Sequence, residues 1–259
     1  MHPLQRRFLD VAAVLSTLEG GASDDDATAL VEAVRVEPGL EKKVLASKGK
    51  PLPHELQQRL IVVSTKAATS RVLADPATGL RATRALEGVM AAGASRDEAL
   101  GLLQHAVLDE GFGWPEDPDD FDVDFLLETL DTLPALARVE ADAVEAWVDG
   151  FVKQVDSKQR PLRLAVAEAL LEAAWSDGPQ PIAAEHVDDA MDLLARSVAS
   201  QELERAGETL VTFLGFLASQ GLVGPGRLAR LSEVAKGAAR APGVDDDEEA
   251  DEDESDEEE

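Results

Sequence analysis

Between Pro134 and Val155 the apolar residues return at steps of three and four, and no other pattern constrains the chain as strongly. Leu136, Val139, Ala143, Trp147 and Phe151 form one row, and Val144, Val148, Val152 and Val155 lie beside it. A period near 3.6 puts both rows on one side of an α-helix, as a wide apolar stripe opposite an acidic face. Pro134 suits the first turn of such a helix, where its missing N–H has no partner to lose. The spacing therefore predicts one helix of about six turns. Gly150 inside it costs roughly 1 kcal/mol relative to alanine and marks a bend or a close helix crossing.

The same period recurs along the chain. His54–Ala74 carries Leu56, Leu60, Val63, Ala67 and Leu73, and Asp97–Leu108 carries Ala99, Leu102, Leu103, Ala106 and Val107. Val187, Met191, Leu194 and Val198 form a third stripe, and Thr209–Ala218 is densely apolar. The one β-branched cluster, Leu60–Thr65, sits inside the helical pattern of its neighbours, and tyrosine is absent. The expectation is an all-α fold, a multi-helix bundle or set of packed helical hairpins with about nine to eleven helices.

Several helix boundaries are legible. Ser95 and Glu98 have the spacing of a capping box, and Ser23 with Asp26 repeats it. Asp24 and Asp25 suit the positive end of that helix dipole. Gly20-Gly21, Gly49, Gly93, Gly178 and Gly221 read as stops or turns, and Pro53 and Pro225 as helix starts. Three helix–turn–helix corners, at Leu45–Leu60, Val89–Leu103 and Leu217–Leu231, echo one another without a fixed period. Shared corner chemistry accounts for that echo without a repeat.

The sequence divides into an N-terminal bundle over 1–110, an acidic, aromatic-containing connection over 111–122, a C-terminal bundle over 123–241 and a disordered acidic tail over 242–259. Phe112, Trp114, Phe121 and Phe125 argue that the connection is anchored rather than free. From Asp245 to Glu259, thirteen of fifteen residues are acidic, too charged and too little apolar to order as a core.

Net charge is −28, and the body without the tail is still at −15. Such a body repels nucleic acid and anionic membranes at long range. The charge is segregated. Lys42, Lys43, Lys48, Lys50, Arg59, Lys66 and Arg71 face only Glu41 and Glu55 in their stretch of sequence. From Asp109 to Asp149, fourteen acidic residues, Asp119, Asp120 and Asp122 among them, face Arg138 alone. That stretch also admits a reading as a mimic of DNA phosphates. Arg227, Arg230, Lys236 and Arg240 make the last helix basic.

Chemistry-bearing motifs are sparse. There is no cysteine, which excludes disulfides and thiolate chemistry. His2, His54, His105 and His186 form no paired-ligand spacing, and no phosphate-binding glycine loop or nucleophile elbow occurs. The N-terminus fails as a signal peptide because Asp10 interrupts its apolar run, and no stretch is long enough to span a membrane. A cytoplasmic location and no cofactor are expected.

These features favour a non-enzymatic protein-binding or adaptor protein, with a helical recognition body and a tail that tunes electrostatic attraction to a basic partner. Candidate interaction residues are Lys42, Lys43, Lys48, Lys50, Arg59, Lys66, Arg71, Trp114, Asp119, Asp120, Asp122, Arg227 and Arg230. One alternative is a nucleic-acid-associated regulator using 41–71 or 227–240, with the tail as internal competitor. The other is a helical enzyme whose site is assembled from dispersed residues. An exposed apolar strip beside the acidic middle would favour the first, a continuous basic face the second, and a cleft joining a histidine to carboxylates the third.

Overall fold

A computed structural model describes residues 11–48, 50–112, 123–176 and 178–240. The tail over 242–259, Gly49, and Trp114, Asp119, Asp120, Phe121 and Asp122 of the acidic connection lie outside the described residues. Within them the fold is all-α, with no strand. The helices are α1 (Val11–Gly20), α2 (Asp25–Val36), α3 (Leu40–Ser47), α4 (His54–Ala74), α5 (Gly79–Ala91) and α6 (Arg96–Phe112). They continue with α7 (Val123–Leu136), α8 (Ala141–Lys153), α9 (Arg160–Trp175), α10 (Ala184–Ser197), α11 (Leu203–Ser219) and α12 (Pro225–Arg240).

Local sequence explains most of these limits. Ser95 and Glu98 form the expected reciprocal cap: the Ser95 amide donates to Glu98 at 2.7 Å and the Glu98 amide to Ser95 Oγ at 3.3 Å. The cap of α2 differs from the sequence expectation. Asp24, not Ser23, accepts the Ala27 amide, at 2.7 Å, because helical geometry begins one residue later than the Ser23 box requires. Gly21, Gly93, Gly178 and Gly221 all turn the chain with positive φ. The β-branched run of α4 stays helical because its hydroxyls bond back one turn. Thr65 and Ser64 donate to the Ile61 carbonyl, and Thr69 to that of Thr65.

The predicted long helix from Pro134 is two helices. Pro134 lies inside the last turn of α7, and the chain breaks at Ala137–Glu140 before α8 begins. The helix ends within one turn of this proline, and the ring packs on α5, where a Cβ on Gly88 would lie 2.7 Å from Pro134 Cγ. Gly150 marks no close crossing, since a Cβ there would meet nothing within 4 Å. The split is one reason for more helices than the sequence suggested.

Packing is continuous from end to end. α2 lies on α4, α4 on α5 and α6, and both α5 and α6 on α7. On the other side α9 packs on α10 and α11, and α12 on α10 and α11. α7 also touches α12, so one apolar core runs through both sets. α8 is peripheral. It leans on α9 and is pinned inward by Phe151, fully buried 4.8 Å from Phe213 and 5.8 Å from Phe216.

Candidate protein-binding groove

The valine row that the sequence set beside the core stripe of α8 does not enter the core. Among the described side chains of α8 Phe151 alone is fully buried, and Val144, Val148 and Val152, one turn apart, are half-buried on the side toward α9, with Val148 also packed on the edge of the core. With Leu164 of α9, itself 40% exposed, they floor a groove of about 380 Å³. Its rim is acidic: Glu145 and Asp149 on α8, Glu168 on α9. Asp149 is neutralised by Lys153 one turn on. Glu145 and Glu168 make no ion pair with any described residue. From Val144 to Val152 the floor runs about 12 Å along the helix.

Recognition by helix periodicity missed this groove for a physical reason. A stripe two rows wide looks like a deeply buried helix, but one neighbouring helix can cover only one row. The excess width of the stripe was the available signal.

The cations singled out in the sequence divide into committed and uncommitted groups. Arg59 donates to Glu37 at 2.9 Å and to the Pro38 carbonyl at 3.0 Å. Arg71 pairs with Asp26 at 2.8 Å and Asp25 at 3.5 Å, tying α4 to α2. Arg227 is a structural residue at 3% exposure rather than a surface cation. It donates to Thr129 Oγ1 of α7 at 3.0 and 3.3 Å and to the Ile182 carbonyl at 2.7 Å. Its guanidinium lies over Phe125, and Arg230 covers the same ring with its centroid 3.9 Å away. Lys236 bonds Glu233 at 2.8 Å. By contrast Lys42, Lys43, Lys48, Lys50 and Lys66 are exposed and make no ion pair among the described residues.

Two features the sequence did not single out complete the surface. Gln159, Leu162, Arg163, Arg205, Glu208 and Thr209 line a small polar pocket of about 160 Å³ between α9 and α11. Arg163 is fixed there by the Phe151 carbonyl at 2.8 Å and stacks on the Phe151 ring at 4.3 Å. Glu128 of α7 accepts the Gly226 amide and caps α12.

The histidines are dispersed. His54 and His105 are exposed on α4 and α6. His186 turns back so that its Nδ1 accepts the Ala183 amide at 3.0 Å, which starts α10. No described histidine lines either the groove or the polar pocket. No cluster of three or more metal-ligating side chains occurs among the described residues, and no described helix is long and apolar enough to cross a membrane. Trp175 is occupied within the fold, its indole N–H donating to the Gln180 carbonyl at 2.9 Å, while Trp147 is half-buried against the core beside the groove. Comparison with protein-family models, with curated proteins and with solved structures finds no match to this chain.

Proposed function

We propose that the chain is a non-enzymatic protein-binding module that holds a basic, amphipathic helical segment of a partner in the α8–α9 groove. The observation that carries this reading is the combination of an apolar floor and an acidic rim. A helix laid along α8 presents anchors at i, i+4 and i+7, which span about 10 Å and match the three-valine floor. Lysines or arginines flanking those anchors meet Glu145 and Glu168. The apolar contacts supply affinity. The rim and the body's net charge of −15 supply orientation and a faster encounter with a basic partner.

The test is fluorescence anisotropy with a labelled, lysine-rich amphipathic helix-forming peptide and a scrambled peptide of the same composition. The ordered peptide should bind, Val148→Asp should abolish binding, and Glu145→Lys with Glu168→Lys should weaken it most at low salt. Trp147 emission should shift on binding. Equal binding of both peptides, or binding indifferent to Val148→Asp, would remove the groove from consideration. Self-association lost in Val148→Asp would reassign the groove to a second copy of the chain.

A further inference from the structure

We infer that the lysine patch on α3 and the turn after it is the docking site of the chain's own acidic C-terminal segment, 245–259. The sequence offered two basic runs for that segment, and among the described side chains the structure leaves one of them available. In the last helix Arg227 is buried, Arg230 lies over Phe125 and Lys236 is bonded to Glu233. In the first run Arg59 and Arg71 are committed to Glu37, Asp25 and Asp26. What remains is Lys66 by itself on α4 and the cluster Lys42, Lys43, Lys48 and Lys50, four exposed side chains within nine residues.

The two carboxylates that flank the start of α3 are already in use. Glu37 holds Arg59, and Glu41 holds Arg35 at 3.2 Å. Glu55 is the one other carboxylate between Lys42 and Arg71 in the sequence. Lys48 itself is held at φ 51°, where the chain leaves α3, so Lys48 and Lys50 sit on a turn beyond the helix that carries Lys42 and Lys43. An uncompensated cationic patch on a body of net charge −15 lacks a counter-charge that the tail carries in excess. The groove rim repels that same tail, which sorts the two anionic elements to different places.

Reach permits the contact. The nineteen residues after Arg240 span up to about 65 Å when extended. A compact body of this length has a radius of gyration of about 18 Å, hence a diameter of about 45 Å. The competing cationic region, Lys153–Arg163, is less open. Lys153 pairs with Asp149 and Arg163 is drawn inward by the Phe151 carbonyl, which leaves Lys158 and Arg160 there, two exposed cations against the four of the α3 patch. Docking masks the α3 patch from other polyanions, nucleic acid included, and does not depend on what occupies the groove.

Because the chain has no cysteine, Ser255→Cys gives a single site for a nitroxide spin label on the full-length protein. In low salt the label should broaden amides of 41–50 selectively. The effect should vanish when the label is reduced, and at about 0.5 M salt, where the Debye length falls to about 4 Å. Changing Lys42, Lys43, Lys48 and Lys50 to Gln should remove the broadening while circular dichroism stays unchanged. A chain ending at Arg240 should bind a short oligodeoxythymidine more tightly than the full chain, and the four-Gln version of that truncation should lose the gain. Broadening at 153–163 instead, uniform broadening, or none would overturn the proposal. So would broadening seen only between labelled and isotope-enriched copies in a mixed sample, which would place the tail on another molecule.

Discussion

Both carboxylate oxygens of Glu128 accept the Gly226 amide, at 2.7 and 3.0 Å, so a side chain of α7 caps a helix ninety-eight residues further along the chain. Pro225 opens α12 and offers no N–H, which leaves the Gly226 amide as the first donor that needs a partner. Replacing Glu128 with Ala should cost about 1 kcal/mol in urea denaturation, and Glu128→Gln less, since one acceptor oxygen survives. A Cβ on Gly224 would lie 2.4–2.6 Å from three atoms of the same Glu128 side chain. Gly224→Ala should therefore destabilise the wild-type chain and cost much less in a Glu128→Ala background. Additive losses would show that the two positions are not coupled.

Arg227 joins three elements at once: α12, α7 through Thr129, and the loop before α10 through Ile182. Arg227→Ala removes charge-assisted bonds and leaves the Ile182 carbonyl without this donor in a buried setting. The expected loss is about 3 kcal/mol. Arg227→Lys should recover part of it, because one ammonium cannot reproduce the planar fork that spans two acceptors. Thr129→Val, which keeps shape and removes the acceptor, should cost about 1–2 kcal/mol. Denaturation midpoints of the three variants, compared at constant m-value, check the order.

Close helix approach at Gly207 gives a third prediction. A Cβ there would lie 2.6 Å from the Ala239 Cβ and 3.1 Å from the Ala235 carbonyl oxygen. Helix propensity alone would make Gly207→Ala stabilising by about 1 kcal/mol. Overpacking against backbone costs typically 1–3 kcal/mol, so the net change should be destabilising. Gly215→Ala, also in α11 but facing open space, is the matched control and should not destabilise.

Two carboxyls impose opposite slopes on stability in acid. Asp188 titrates above its ordinary range, first because of partial burial and then because of Asp189 and Asp192. Its charge therefore opposes folding above its raised pKa, and that cost disappears as pH falls through the window toward the unfolded value. Glu98 titrates below its ordinary range, held by the Ser95 hydroxyl and then the Ser95 amide. Its contribution is present above the unfolded value and is lost as pH falls through the folded one. Asp188→Asn should raise stability at neutral pH and leave less gain on acidification. Ser95→Ala should lower it at neutral pH, with the difference from wild type shrinking in acid. Thermal melts across pH 3–7 distinguish the two.

Periodicity made the helical class readable, because a stripe at steps of three and four records burial along one face. His54–Ala74 spans the same residues in sequence and structure, and the Ser95–Glu98 cap is local chemistry. The failures have a common origin in distant partners. Pro134 looks like a helix start until Gly88 of α5 is placed against it. Arg227 looks like a surface cation because nothing nearby in sequence announces Thr129 or Ile182. Arg59 and Arg71 look available until Glu37 and Asp26, 22 and 45 residues away, take them up. The groove was half legible: its valines were visible as a row, but their exposure depends on how little of α8 its neighbours cover. The lysines on α3 and the turn after it stay exposed because no distant partner among the described residues takes them up.

The position of α7 has a consequence for anyone who would cut the chain at its acidic connection. A fragment stopping before 113 leaves α5 and α6 without the wall that α7 supplies. The complementary fragment from 123 onward carries that wall with its apolar side bare, opposite the face held by Glu128 and Arg227. Each piece should be sticky alone, and the two mixed should find one another, so a nick at the connection would go unnoticed in a native gel while being obvious under denaturing conditions.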